Sequence, residues 1–188
     1  MGYFPAFLKL DNKKILIVGG GTIALEKLLH LLDFTTDIKI IAKELSDTMR
    51  KTIDEYSLPH EKRAYERGDI EGFFVVVVAV DEIALQKRIY EECQNSPTLC
   101  NAVDATAYCD FIFPSYIKKG DLTIAVSTSG ASPAVAKHLR RYLQEMIPDS
   151  IVPFLEEMKS LRKTLPKGKE RMKMFDEKAK KYIDSWSK

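Results

Sequence analysis

The chain has 188 residues and is 45% hydrophobic and 30% charged, which predicts one α/β domain with a core and a smaller helical extension. Its longest apolar run, residues 73–80, is too short to cross a bilayer, and this excludes a membrane-spanning protein. The net charge of +2 is unevenly divided, since residues 1–112 carry 13 Lys/Arg and 18 Asp/Glu whereas residues 113–188 carry 16 and 9.

The charge distribution and the cysteines indicate which binding partners and which cellular compartment to expect. The basic second part suits an anionic small molecule, a membrane surface or nucleic acid, or it is simply a solvated helical surface. No nucleic-acid motif accompanies it, so we expect neither a nucleic-acid nor a membrane partner. Cys93, Cys100 and Cys109 lack CxxC spacing, and no signal peptide precedes the first strand. We therefore expect reduced thiols in a cytoplasmic protein without a metal site.

The first elements frame a glycine turn. An edge strand is predicted at residues 5–11 and a parallel strand at 14–18, followed by a helix over 22–32. Gly19, Gly21 and Ala24 have the spacing of the dinucleotide-binding fingerprint: a tight turn, a backbone open to pyrophosphate, and a helix packed closely on its strand. The alternative is a βα turn without a ligand. The predicted cofactor contacts of this turn are Gly19, Gly20, Gly21, Thr22, Ile23 and Ala24.

The next elements continue the alternation of strands and helices. Strands are predicted at 37–42, 62–66, 73–80 and 99–103, with helices from Ser46 to Tyr56 and from Ile83 to Gln94. This order predicts a Rossmann-type, doubly wound parallel sheet, which binds ligands at the carboxyl ends of its strands. Further cofactor contacts are therefore expected at Ala42, Lys43, Glu44, Val80 and Asp81. Glu44 would favour NAD through the ribose hydroxyls, whereas Lys43 would favour NADP through the 2′-phosphate.

After Asp104 the alternation of strands and helices ends. Residues 110–117 and 121–126 predict a hairpin with its turn at 118–120, and Ser132-Pro133 predicts the cap and first residue of a helix to Met146. Two helices follow, separated near residues 166–168. The loop Ser127, Thr128, Ser129 and Gly130 either donates hydrogen bonds to substrate carboxylates or is only a turn and a cap. His138 and Arg141 are candidate carboxylate partners, with solvated surface as the alternative.

Three blocks of the sequence stand out in this order: residues 5–8 with 18–27, residues 101–104 with 109–114, and residues 124–136. Together they resemble the precorrin-2 dehydrogenases of sirohaem biosynthesis. The resemblance covers nearly the whole chain. It implies NAD-dependent oxidation of the tetrapyrrole precorrin-2 to sirohydrochlorin by a homodimer. It also implies a Rossmann domain (1–112), a dimerisation hairpin and helix (113–147) and a helical domain (148–188).

The resemblance also assigns a catalytic residue. Asp104 matches the family's acid and is implied to accept or relay a proton; the alternative is a turn residue or an N-cap. The chain departs from the family at Val80, where a threonine is usual, and at Gln86, where an asparagine is usual. Some members also insert ferrous iron, although no cluster with metal-ligand spacing is visible in this sequence. We expect a dehydrogenase, with a bifunctional dehydrogenase/ferrochelatase and a non-catalytic NAD-sensing module as the alternatives.

Overall fold

The computed structural model describes residues 2–186; residue 1 and the last two residues of the predicted helical domain, 187 and 188, lie outside the described residues. The chain divides into two compact units, one of Tyr3–Ile112 and one that begins at Phe113. The elements of the first unit are β1 (Ile15–Val18), α1 (Thr22–Leu32), β2 (Ile38–Ile41), α2 (Asp47–Tyr56), β3 (His60–Glu61), β4 (Val75–Val78), α3 (Ile83–Cys93) and β5 (Leu99–Ala102).

The first unit is built on a five-stranded parallel sheet in the order β3-β2-β1-β4-β5. Ile17 of β1 pairs with Ile40 of β2 on one side and with Val77 of β4 on the other. All four residues of β1 and all four of β4 are buried, as expected for central strands covered on both faces. The predicted Rossmann-type α/β class is confirmed, and the carboxyl ends of the strands lie along one edge of the sheet.

Local sequence sets the bounds of the first two helices. Helix α1 has the predicted bounds and buries Ala24, Leu28 and Leu31. Helix α2 begins after Ser46, whose hydroxyl accepts a hydrogen bond from the Met49 N–H at 3.2 Å. The glycine turn before α1 and the Ser46 cap before α2, together with the apolar spacing, were therefore sufficient to locate both helices.

Two strand predictions in the first unit are wrong. Residues 5–11 form no strand and are mostly exposed, with Phe7 at 75%, and they pair with none of the strands of the described residues. The third strand is β3, displaced from the predicted 62–66. The chain turns away at Arg63, whose guanidinium donates two hydrogen bonds of 2.7 Å to the Asp69 carboxylate. That ion pair holds residues 63–69 as a turn instead of an extended strand.

The second unit combines a hairpin with three helices. Its elements are β6 (Ser115–Lys119), β7 (Leu122–Val126), α4 (Pro133–Met146), α5 (Ile151–Thr164) and α6 (Lys169–Asp184). Helix α4 has the predicted bounds, with the Ser132 hydroxyl accepting from the Val135 N–H at 3.3 Å. The predicted turn at 118–120 is wrong, because Lys118 and Lys119 belong to β6 and the turn is Gly120-Asp121.

The predicted start of the hairpin at residue 110 is also wrong, since residues 109–111 attach to β5 of the first unit. The Asp110 N–H donates to the Cys100 carbonyl oxygen at 2.8 Å, and the Asp110 carboxylate accepts from the Cys100 N–H at 2.8 Å. The Asn101 side chain donates to the Phe111 carbonyl oxygen at 2.8 Å. These bonds use the backbone that a longer β6 would have needed.

A small core holds the second unit together. Ile117, Ile147 and Ile151 are its buried members, and they join the hairpin to the helices on either side of residue 148. Lys119 donates to the Ile147 carbonyl oxygen at 2.6 Å and to the Asp149 carboxylate at 2.8 Å. The hairpin, α4 and α5 therefore share one core.

Candidate functional site

Two glycines of the turn between β1 and α1 are required by packing. Gly19 has a φ of +127°, and a Cβ there would overlap the carbonyl oxygen of Ala79 at the end of β4. A Cβ at Gly20 would overlap the carbonyl oxygen of Glu44 in the loop after β2. The turn therefore fits between two neighbouring strand ends only because both positions lack a side chain.

Gly21 differs, because a Cβ there would enter open space. It is the N-cap of α1 and provides no capping side chain, so the first helical hydrogen bond is from the Leu25 N–H to the Gly21 carbonyl oxygen. The N–H groups of Thr22, Ile23 and Ala24 precede that bond and have no acceptor within the helix. An open cradle with unpaired N–H groups and the positive end of a helix dipole fits a pyrophosphate. This observation supports a dinucleotide at the turn.

The loop after β2 borders the same turn. The Ser46 N–H donates to the Gly20 carbonyl oxygen at 2.9 Å, which fixes the loop against the glycine turn. Ala42 is buried, whereas Lys43 and Glu44 are exposed. Both charged side chains are thus positioned at the carboxyl end of β2, where a Rossmann sheet receives the adenosine ribose.

A cavity of about 250 Å³ opens at the carboxyl ends of β4 and β5. It brings together four predicted site residues from separate parts of the first unit: Ile23 of α1, Val80 and Asp81 after β4, and Asp104 after β5. Asp81 and Asp104 place two exposed carboxylates at this cavity.

Asp104 is held in an uncommon backbone conformation. Its φ is +62°, in the left-handed region that asparagine and aspartate tolerate better than other side chains. The thiol of Cys109 donates to the carbonyl oxygens of Ala102 at 3.1 Å and Ala105 at 3.4 Å, on either side of Asp104. Burial raises the pKa of Cys109, which keeps the thiol protonated and able to donate. This thiol therefore holds the backbone of the turn that carries the Asp104 carboxylate.

Gln86 of α3 ties the two strand ends together. It is 5% exposed, and its Nε2 donates to the carbonyl oxygens of Val80 at 2.6 Å and Val103 at 3.3 Å. Its Oε1 is buried and has no hydrogen-bond partner. The sequence marked this position only as a departure from the family pattern and gave it no role. The signal that was available is a polar residue on the buried face of an amphipathic helix.

The candidate substrate loop lies in the second unit and is organised mainly by its own bonds. The Thr128 hydroxyl donates to the Ser132 carbonyl oxygen and accepts from the Ser132 N–H, both at 3.0 Å. Ser127 accepts from the Ser129 N–H at 3.0 Å, and Ser129 and Gly130 have positive φ values. The loop is thus a turn that leads into the cap of α4. His138 and Arg141 are exposed on that helix.

Two negative findings apply to residues 2–186. No helix among them is both long enough and apolar enough to span a membrane. Within the same residues, His, Cys, Asp and Glu side chains form no group of three or more that would hold a metal ion. Cys93, Cys100 and Cys109 are all free thiols.

Comparisons with known proteins agree with this geometry. A family model for NAD(P)-binding domains matches residues 6–115, and a model for the central part of sirohaem biosynthesis proteins matches residues 119–146. The siroheme synthase of Mannheimia succiniciproducens is 34% identical over 151 residues, which are 80% of this chain and 32% of that protein. The siroheme synthase of Actinobacillus pleuropneumoniae serotype 3 is 32% identical over 80% of this chain and 31% of its own length. The chain thus spans about a third of these relatives.

A solved structure matches over most of both chains. It is SirC, a precorrin-2 dehydrogenase, with a TM-score of 0.76 and 26% sequence identity. The match covers 90% of this chain and 85% of that one. Sequence and structure therefore indicate the same family.

Proposed function

Because this chain belongs to the precorrin-2 dehydrogenase family of sirohaem biosynthesis, we propose that it oxidises precorrin-2 to sirohydrochlorin with a nicotinamide dinucleotide. One observation carries the proposal: the first turn of α1 and Asp104 line the same cavity. Cofactor and acid would therefore meet at one place. That is the arrangement a dehydrogenation needs, since it removes a hydride and a proton from neighbouring substrate atoms.

Different residues of the first unit would bind the cofactor and accept the proton. Gly21 and the N–H groups of Thr22 and Ile23 would hold the pyrophosphate, while Val80 and Asp81 would border the nicotinamide half. The bound nicotinamide would supply the hydride acceptor. Asp104, exposed at the cavity, would accept the proton that the substrate loses and would orient the macrocycle.

We propose NAD in preference to NADP. Exposed Glu44 follows β2 and offers a carboxylate to the ribose hydroxyls, and the same carboxylate would repel a 2′-phosphate. Lys43 is the competing residue. Dissociation constants for NADH and NADPH should favour NADH, and Glu44→Gln should reduce that preference. A preference of the wild type for NADPH would instead assign the selectivity to Lys43.

We further propose that residues 113–147 make the contact of a homodimer and that residues 148–188 form the accompanying helical domain. Helix α4 has two apolar sides. One side, with Ala136 and Leu143, packs on its own hairpin. The other is an exposed stripe of Val135, Leu139, Tyr142 and Met146, each 43–60% exposed. A second copy of the same stripe would cover it in a twofold contact.

The excess of basic residues after residue 112 suits a polycarboxylate substrate. We propose Ser127, Ser129, Gly130, His138 and Arg141 as the groups that bind its carboxylates, because all five are at least partly exposed. Thr128 is proposed to shape their loop, since its hydroxyl donor is engaged there. The three free thiols support a cytoplasmic location for the enzyme.

The test is anaerobic incubation with precorrin-2 and NAD⁺, with NADH and the tetrapyrrole spectrum followed together. The wild type should form NADH and sirohydrochlorin in equal amounts. Asp104→Asn should lower turnover by at least about 100-fold, the effect expected for a general acid or base, with NADH affinity unchanged. Asp81→Asn is the matched control, because it removes the other carboxylate at the same cavity and should cost much less.

Two other outcomes have distinct meanings. Dinucleotide binding without turnover would reject the dehydrogenase and favour a nucleotide-sensing module. Addition of Fe²⁺ after oxidation tests for the second activity, since a ferrochelatase would accelerate metal uptake above the rate without protein.

A further inference from the structure

An unused acceptor lies at the wall of the cofactor cavity. Gln86 is 5% exposed, and its Oε1 is buried without a hydrogen-bond partner. Buried polar atoms nearly always have a partner, because an unsatisfied acceptor in a protein interior is costly. An orphaned oxygen beside a cavity therefore calls for a donor from outside the protein.

The orientation of the amide is fixed by its other end. Nε2 lies 2.6 Å from the Val80 carbonyl oxygen and 3.3 Å from the Val103 carbonyl oxygen. An oxygen in that position would face two acceptors and be repelled, so the amide cannot be turned over. The terminal torsion of a glutamine is soft, so rotation about it would be the way for Oε1 to meet a ligand in the cavity that Gln86 lines, with Nε2 still bonded to a carbonyl oxygen.

The sheet order indicates which part of a dinucleotide would reach this oxygen. The glycine turn follows β1, with β2 on one side and β4 on the other. Pyrophosphate at Gly21 and adenosine ribose beyond β2 would leave the nicotinamide half over β4 and β5. The cavity there is lined by Ile23, Val80, Gln86 and Asp104. A nicotinamide carries N–H donors on its carboxamide.

We propose that Oε1 of Gln86 accepts a hydrogen bond from the nicotinamide carboxamide. This bond would fix the orientation of the nicotinamide ring in the cavity. The inference rests on the proposed use of a nicotinamide dinucleotide. The same side chain bonds the carbonyls of Val80 and Val103, so one residue links the ends of two strands and recognises the cofactor. Recognition of this kind rejects an analogue that lacks the donor, since the buried acceptor is then left unpaired.

The experiment compares two cofactors on two proteins by titration calorimetry, without precorrin-2. The probes are NAD⁺ and 3-acetylpyridine adenine dinucleotide, in which a methyl ketone replaces the carboxamide and removes the N–H donor. The proteins are the wild type and Gln86→Met, which has a similar unbranched shape but no amide. The wild type should bind NAD⁺ roughly fivefold to tenfold more tightly than the analogue, and Gln86→Met should bind both alike.

A purely structural role for Gln86 predicts something else. Both dissociation constants would rise in Gln86→Met by the same factor, the preference would persist, and the proposal would be rejected. Gln86→Asn keeps the amide and should retain part of the preference.

A wild-type measurement covers the case in which Gln86→Met does not fold. Thionicotinamide adenine dinucleotide keeps the N–H donor and should bind like NAD⁺. If the wild type binds the acetylpyridine analogue as tightly as NAD⁺, the hydrogen bond does not exist. Absence of precorrin-2 turnover would reject the proposed function but would leave these ratios measurable, so the two failures are distinguishable.

Discussion

The two units of the chain bury their residues to very different degrees. In the first unit, β1 and β4 are buried along their whole length, and Ile15, Leu16 and Ile17 are each 0% exposed. In the second unit, Ile117 is the only buried residue of the hairpin, and α6 has no buried residue among those described. The first unit thus has the larger and more completely buried core of the two. The second leaves apolar helix surface uncovered, which is the state expected of a segment that completes its packing with another molecule.

The position of the chemistry follows the same division. The glycine turn, the cavity and the Asp104 turn all lie at the carboxyl ends of the buried parallel sheet, where the proposed function places the cofactor and the acid. The basic residues and the α4 stripe belong to the less buried unit. Under the proposed function, the reaction geometry and the contact with a second copy would therefore belong to different parts of this chain.

Matched core truncations should give the largest difference between the units. Ile17→Ala removes a side chain with no exposure and should lower the free energy of unfolding by about 2–5 kcal/mol. Ile117→Ala should cost about 2 kcal/mol or less, because its partly buried neighbours can relax into the space. Trp186, the single tryptophan, packs edge-on against Tyr182 and reports the second unit by fluorescence. Amide hydrogen exchange in the strands of the parallel sheet reports the stability of the first unit. Equal losses would contradict this difference between the two cores.

A charged side chain in the exposed apolar stripe of α4 should disrupt the proposed dimer contact. Leu139→Glu places one carboxylate from each copy in the proposed twofold contact and should weaken the dimer by at least about 30-fold. Sedimentation equilibrium measures the dissociation constant. Lys137→Glu, at an exposed position away from the stripe, is the control and should leave the dimer intact. A monomeric wild type would show that no second copy covers the stripe.

Alkaline pH should destabilise the first unit selectively. A hydrogen bond with Cys93 and burial raise the pKa of Cys100, and burial raises the pKa of Cys109. Thiols in the unfolded chain ionise near their ordinary pKa of about 8.5, so the folded state binds more protons above that pH. Their stabilising contribution is therefore complete below the unfolded pKa and is lost as pH rises, by up to about 1.4 kcal/mol per pH unit for each thiol.

Urea unfolding between neutral pH and about pH 10, below the range in which most tyrosine and lysine side chains lose their protons, measures this slope. The urea concentration at the unfolding midpoint of the first unit should fall as the pH rises. The transition reported by Trp186 should be nearly constant, because all three cysteines precede residue 113. Cys109→Ser should flatten the slope, and an unchanged slope in that variant would reject the assignment.

The smallest expected effect concerns the bonds beneath Asp104. Cys109→Ala removes the donor to the Ala102 and Ala105 carbonyl oxygens and should cost about 1 kcal/mol. Cys109→Ser keeps a hydroxyl donor and should recover most of that loss. Hydrogen exchange at the Ala105 and Tyr108 amides, which close the turn, measures the local effect. If both variants exchange like the wild type, the thiol does not hold the turn.

Features written in local sequence were predictable. Helices α1 and α4 had the correct bounds, because a glycine turn starts one and Ser132-Pro133 starts the other. The parallel sheet followed from β-branched runs such as Val75–Val78 at α/β spacing. The meeting of Ile23, Asp81 and Asp104 also followed, since strand ends converge at one edge of such a sheet.

Features that depend on distant partners were not predictable. The attachment of Asp110 to Cys100 could be found only once the chain was seen to fold back along β5. The Cys109 thiol contacts backbone carbonyls, which leave no trace in residue types. Residues 5–11 had the composition of a strand but pair with no strand of the described residues. Gln86 attracted notice only through a family pattern, and its orphaned oxygen became visible only in three dimensions.

The left-handed backbone at Asp104 restricts how this position can change over evolution. Most side chains would add strain of roughly 1–2 kcal/mol there, whereas asparagine and glycine fit the same turn. A descendant of this chain with asparagine or glycine at this position would therefore keep the turn. Under the proposed function, it would still bind the dinucleotide but would no longer oxidise the substrate.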